Sequence, residues 1–507
     1  MKLKPLVFFP PFLCFFLCLW QALGHGESFF KSLNTVQDWV LTNFHFVFTW
    51  GTFALVIACV ITFASPLGSV RIGGKDAQPL MNRWRWFAIT LCTTVAVGIL
   101  FWGTAEPLFH FYEPAQFFKG LTDRDRIIFS LSSLYMHWSI TPYAIYAIPG
   151  LVFALTYYNA KKPFSLSAPL SPLLGNAVHG KVGEVIDSVC LFSLVAGMSA
   201  SLGTGILTLS GGIRYLTGLS QSSWLLGGIL LTVVVAFVIS AITGITRGIR
   251  ILSEINALIF FLLVIFVLCF GPARFIVVQG FEALREYVSS FVSRSVYSGV
   301  GNEVDPWAKN WTLFYWCNWL SWAPITALFL GRISYGYTVR EFLVTNLVLP
   351  ALFACVWMAV FSGWALHTDL LTSGQIYQTI QNSGVEAALY ALFQKLSIAH
   401  WLQTGAIAVV VVTAFLAYVT SAEANTSAMA AISTQGISPE SPEAPFGVKL
   451  IWGVCVGMTA WVMVMRPGVD GIKTLSVLGG VPSLLLILLI LGSWVKILLF
   501  PKNELKA

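Results

Sequence analysis

Apolar runs of about twenty residues recur along this chain, each ended by a short cluster of charged residues, prolines or glycines. A helix rises about 1.5 Å per residue, so one such run spans the hydrocarbon core of a bilayer. The pattern predicts twelve spans, centred near Phe15, Ala54, Val95, Tyr143, Leu202, Val234, Leu262, Trp319, Val356, Phe415, Val456 and Ile487. No soluble domain fits between them. The predicted class is an all-α polytopic membrane protein of twelve transmembrane helices.

The eighth span differs from the rest. Between Trp311 and Pro324 it carries four tryptophans, with Phe314 and Tyr315, inside an apolar run. Helical spacing puts Trp319 and Trp322 on one face, with Tyr315 and Trp311 extending the stripe. Most membrane tryptophans are interfacial anchors or packing residues, but such belts sit at span ends and this cluster runs through one. Aromatic faces inside a membrane cavity hold cations that have no N–H to donate, quaternary ammonium groups above all. The fourth span, with Trp138, Tyr143 and Tyr146 after His137, could close an aromatic box against Trp319 and Trp322. A lone His at such a place is more often a structural donor than a proton carrier.

Transporters often break a helix at midmembrane to free backbone groups for ions. Three segments invite a break: Gly98 with Gly103–Pro107 on the third span, Gly197–Gly205 on the fifth, and Val419–Ser427 on the tenth. Close helix packing accounts for the fifth. On the tenth, hydroxyls beside Glu423 favour a functional role, because an acid inside a membrane is costly and usually faces a cavity or a partner.

With 57% hydrophobic and 10% charged residues, the chain cannot be a soluble globule. Its net charge of +7 does not point to nucleic acid, because the basic residues gather in alternate loops: Arg71 to Arg85, Lys161 to Lys181, Arg247 with Arg250, and Arg332 with Arg340. Those loops and both termini are predicted cytoplasmic. Glu106, Glu113, Asp123, Asp125, Glu282, Glu286, Glu303 and Asp305 fall in the opposite loops. Pro5 to Leu23 also reads as a signal peptide, but cleavage would upset the alternation, so an uncleaved first span is expected. The nine cysteines lie in apolar spans without metal-ligand spacing, so neither disulfides nor a structural metal is expected.

From about Val36 to Leu499 the sequence resembles the betaine/choline/carnitine transporter family. The resemblance rests on ordered motifs: Gly68–Gly74, Gly103–Leu108, His137–Tyr146, Arg247–Asn256, the tryptophan segment, and its continuation Gly331–Phe342. It implies a LeuT-type core of two inverted five-helix repeats preceded by two extra helices. The divisions are then an N-terminal pair (1–83), a first repeat (84–272), an amphipathic extracytoplasmic connector (273–306), a second repeat (307–500) and a short tail (501–507). It further implies a homotrimer in the plasma membrane that alternates access around an aromatic box. Carried over by motif, that box is Trp138, Tyr143, Tyr146, Trp319 and Trp322, with Trp311, Phe314 and Trp316 along the permeation pathway.

Departures from the family refine the expectation. Tyr143 stands where Trp is common. Choline carriers tend to have Asp at the position of Gly98, and its absence favours zwitterions such as glycine betaine or carnitine. One sodium site of the family has lost its threonines to Leu194 and Met198, whereas Thr420 and Ser421, with third-span backbone at Ala96, remain for a second. The expected activity is symport coupled to sodium, with no cofactor. A sodium-independent exchanger and a proton-coupled choline carrier of the same fold are alternatives. A membrane-embedded enzyme is the alternative of another class, disfavoured because the seven histidines are scattered and no nucleophile, base and orienting group converge.

Overall fold

The computed structural model describes residues 2–94, 96–116, 122–242, 246–300, 303–436, 444–465 and 468–505. Helices dominate: α1 (Pro5–Gly24), α2 (Gly26–Ala64), α3 (Arg83–Thr94), α4 (Ala96–Tyr112), α5 (Asp123–Trp138), α6 (Ile140–Ala154), α7 (Lys181–Thr217), α8 (Ser223–Ile242) and α9 (Thr246–Phe270) come first. They continue with α10 (Ala273–Ser295), α11 (Phe314–Ile333), α12 (Leu349–Leu371), α13 (His400–Ile432), α14 (Phe446–Met465) and α15 (Val469–Leu499). Eleven of the expected span centres fall inside these helices, and Val95 lies outside the described residues, between α3 and α4.

Among the described residues nine helices are long and apolar enough to cross a membrane, or ten when α3 and α4 count as one span bent by 58°. α8 and α11 fall short of that test. α8 is apolar over its fully described part, Ser223–Phe237, which is shorter than the test requires, and α11 carries Trp, Tyr, Asn and Ser among its apolar residues. The bend between α3 and α4 is where the third span invited one. α7 and α13, the other two candidates, run on as single helices, while the fourth span is interrupted at Ser139 between α5 and α6.

α11 is the centre of the bundle and packs on α6, α15 and α7. Small residues let the backbones meet. A Cβ on Gly197 of α7 would lie 2.5 Å from Ser321 Oγ, and one on Gly480 of α15 would lie 2.6 Å from Cys317 Cα. In the small-residue run of the fifth span, Gly197 packs on α11, Gly203 on Ile472 and Val464, and Gly205 on Tyr418, while Ser201 and Thr204 border a cavity. α10 is amphipathic, with Ile276, Gly280, Ala283 and Tyr287 as its buried stripe. Its buried Arg294 donates to Ser132 Oγ and Ser133 Oγ of α5, at 2.6 Å each, and Tyr287 meets Ser139 at 2.8 Å.

The two loop motifs farthest apart in sequence join each other. Ile72 N donates to Tyr337 O (2.9 Å), Gly336 N to Ile72 O (2.9 Å) and Val339 N to Val70 O (2.9 Å), and Arg83 pairs with Glu341. Gly336 has φ of +85°, and a Cβ there would lie 2.2 Å from the carbonyl carbon of Gln78. Gly74 has a similar φ of +98° with no atom within 4 Å of its virtual Cβ. Gly74→Ala should cost about 1–2 kcal/mol of backbone strain, and Gly336→Ala distinctly more, because backbone must also move. Melting temperatures of the two purified variants check this, and equal losses would contradict it.

Candidate functional site

Trp138 and Trp319 meet edge to face across the bundle, with ring centroids 5.3 Å apart and planes at 89°. Tyr146 stands against the other side of Trp319 at 5.8 Å. What fixes these rings is their polar edges. The break at Ser139 ends α5, so its last carbonyls lack helical donors. One of them, His137 O, accepts from Trp319 Nε1 at 2.9 Å. Trp138 Nε1 donates to Glu106 Oε2 at 2.9 Å. With both indole N–H groups held, the rings cannot turn without losing a hydrogen bond.

These rings border a cavity of about 60 Å³ lined by Thr93, Thr94, Gly98, Trp102, Trp138, Tyr146, Ser201, Thr204, Phe314, Asn318, Trp319, Trp322, Ser421 and Ile472. The rings come from α4, α5, α6 and α11, the hydroxyls from α3, α7 and α13, and the Asn318 amide from α11 as well. No charged side chain among the described residues lines it. A space of this size holds a few waters, so cargo of several heavy atoms enters only as the walls part.

Of the residues expected in the box, Trp138, Tyr146, Trp319, Trp322 and Gly98 border this cavity, whereas Tyr143 does not. Tyr143 is fully buried, although Tyr146, three residues later on the same helix α6, does border the cavity. Gly98 lies close against the box, since a Cβ there would be 3.1 Å from Trp138 Cη2. Any side chain at Gly98 therefore presses on a ring that Glu106 holds in place.

Among the pathway residues Phe314 borders the cavity. Trp311 instead faces a second opening of about 480 Å³, with Trp102, Phe109, Glu113, Lys309, Asp470 and Lys473 among its lining. Trp316 borders neither and is fully buried.

Ser421 reaches the central cavity. Thr420 does not: its hydroxyl donates back to Leu416 O at 2.9 Å and Ala417 O at 3.0 Å, the usual resort of a threonine inside a helix. The side chain of Ala96 lies outside the described residues. Leu194 and Met198 are buried and offer no side-chain oxygen.

The charge pattern misplaced Glu106. Rather than sitting in a loop, it is inside α4 and fully buried. Its Oε1 meets His110 Nε2 at 3.0 Å and His137 Nδ1 at 2.7 Å, and its Oε2 meets Trp138 Nε1 at 2.9 Å and Tyr315 Oη at 2.5 Å. Trp307 Nε1 donates to His110 Nδ1 at 3.1 Å, which leaves His110 Nε2 to donate to the carboxylate. His137 Nε2 meets Thr312 Oγ1 at 3.0 Å. An ionised carboxylate accepts from all four groups, which makes its burial tolerable. The histidines are thus not all scattered: two of them converge on Glu106. Their ligand atoms are within 4.8 Å of one another, close enough for a metal ion. Yet every ring nitrogen already has a protein partner, so the cluster is complete as a hydrogen-bonded support for Trp138.

Residues 5–502 match the family described as BCCT, betaine/carnitine/choline family transporter. This chain belongs to that family. It is a multi-pass membrane transporter, not an enzyme. Among its relatives, the glycine betaine transporter OpuD of Bacillus subtilis is 28% identical over 491 residues, covering 96% of this chain and 93% of OpuD. The ectoine/hydroxyectoine transporter of Virgibacillus pantothenticus is 28% identical over 476 residues, covering 92% and 91%. The high-affinity choline transport protein of Escherichia coli K12 is 25% identical over 466 residues, covering 92% of this chain and 67% of its own length.

Glu106→Gln keeps the shape but replaces one acceptor oxygen with a donor that faces donors. It should cost about 2–4 kcal/mol of stability and weaken cargo binding, because Trp138 is no longer held. Thermal unfolding and equilibrium binding on the same preparation check both effects. Unchanged binding would mean that the box does not depend on Glu106.

Proposed function

We propose that this transporter carries a quaternary-ammonium zwitterion of the glycine betaine or carnitine type by alternating access in a twelve-helix LeuT-type bundle. The observation that carries the reading is the central cavity. Its lining joins aromatic rings from α4, α5, α6 and α11 with hydroxyls from α3, α7 and α13, and no ionised side chain among the described residues borders it. A trimethylammonium group suits the rings, and the hydroxyl donors suit a carboxylate. The Glu106 carboxylate at the N–H edge of Trp138 adds electron density to the ring face that meets the cation. A carboxylate-free cation such as choline finds no counter-charge in contact. Names of the relatives span betaine, choline and ectoine transport, so the cavity rather than the relatives favours the zwitterion.

Symport with sodium is the coupling we favour, with Ser421 as a ligand together with third-span backbone. A homotrimer in the plasma membrane with both termini cytoplasmic completes the proposal, following the family resemblance and the charge alternation of the loops.

A binding screen of glycine betaine, carnitine, ectoine and choline on the purified protein tests the cargo. Glycine betaine or carnitine should bind tightest, and Trp319→Leu should weaken that binding roughly three- to thirty-fold, the worth of one desolvated ring face. Tightest binding of choline, or no effect of Trp319→Leu, would reject the proposal. For coupling, uptake into proteoliposomes should follow an imposed sodium gradient, and Ser421→Ala should reduce that dependence while Thr420→Val leaves it unchanged, since only Ser421 reaches the cavity. Uptake indifferent to sodium but driven by internal cargo would favour exchange instead.

A further inference from the structure

Lys473, one residue after the cavity-lining Ile472 on α15, turns its ammonium into a cage of rings. Nζ lies 4.4 Å from the ring centroid of Trp311, 5.2 Å from Phe314 and 5.6 Å from Trp102. All three distances are within cation–π range. No carboxylate among the described residues lies within 4 Å of it, although Asp470 is one turn earlier on the same helix. The other acids of the opening have partners of their own: Asp38 pairs with Lys309, and Glu113 accepts from Tyr377 Oη at 2.8 Å.

The position of the cage gives it consequence. Trp102 borders both the outer opening and the central cavity, Trp311 borders the first and Phe314 the second. The three rings form the partition between the two spaces, and a protein cation already covers them. A cargo ammonium crossing that partition competes with Lys473 for the same faces. A cargo with net positive charge is repelled as well, whereas a zwitterion brings a carboxylate that can pair with the displaced ammonium.

We propose that Lys473 is a specificity-determining residue: a tethered cation on the aromatic partition that admits carboxylate-bearing zwitterions and disfavours carboxylate-free quaternary ammonium ions. This rests on the zwitterion reading of the central box. It adds a filter outside that box, one absent from its lining residues.

The test is competitive binding of glycine betaine and choline to the full chain in lipid nanodiscs, for the parent, Lys473→Met, Lys473→Gln and Lys473→Arg. Both neutral variants should shift the affinity ratio toward choline by on the order of tenfold, and Lys473→Arg should keep the parent ratio. Two neutral variants are used because Met restores apolar packing and Gln keeps a polar end, so one failing to fold leaves the other. An unchanged ratio in the neutral variants overturns the inference while the box reading stands, provided Trp319→Leu still weakens binding in the parent. If Trp319→Leu weakens neither ligand, the box reading fails and this inference falls with it.

Discussion

A buried carboxylate at the edge of the cargo cavity is the constraint on which the rest depends. Glu106 is fully enclosed, so each of its acceptor sites has to be filled. The groups that fill them come from three helices: His110 from its own turn of α4, His137 and Trp138 from the end of α5, and Tyr315 from α11. One anion therefore ties these helices together and holds the indole of Trp138 at the cavity. Any rearrangement that moves α5 against α11 must carry this hub along or break it, which ties the box to the framework.

Around that hub the protein separates two tasks. Close helix contacts at Gly197 and Gly480 bring α7 and α15 against α11, and loop pairing between Val70–Ile72 and Gly336–Val339 joins the two halves of the sequence. Neither feature touches the cavity. No charged side chain among the described residues lines the cavity, while Glu106 accepts from the N–H edge of Trp138 and Lys473 stands over Trp102, Trp311 and Phe314. In the zwitterion reading proposed above, charge acts on the cargo through aromatic rings rather than through a direct ion pair.

Much of this was legible in the order of residues. The hydrophobic period located helices at eleven of the expected centres, and the tryptophan ladder at helical spacing pointed to Trp319 and Trp322, both of which border the central cavity. Glu106 was not legible, because an acid followed by Pro107 reads as the end of a span, and its partner His137 is far away in the chain. The spacing of Glu106 and His110, one helical turn apart, was the available signal. Tyr143 and Tyr146 share a face of α6 by spacing, and only the packed bundle shows that Tyr146 alone of the two borders the cavity. Thr420 and Ser421 could not be told apart, since neighbours on a helix point about 100° apart and only the packed bundle decides which one meets the cavity.

The most direct test of the central claim is a structure of the protein with glycine betaine bound. The account predicts the trimethylammonium nitrogen within about 6 Å of the ring centroids of Trp138 and Trp319, and the carboxylate turned toward Ser201, Thr204 and Ser421. Cargo bound elsewhere, or in the central cavity with its carboxylate against the indoles, would contradict it.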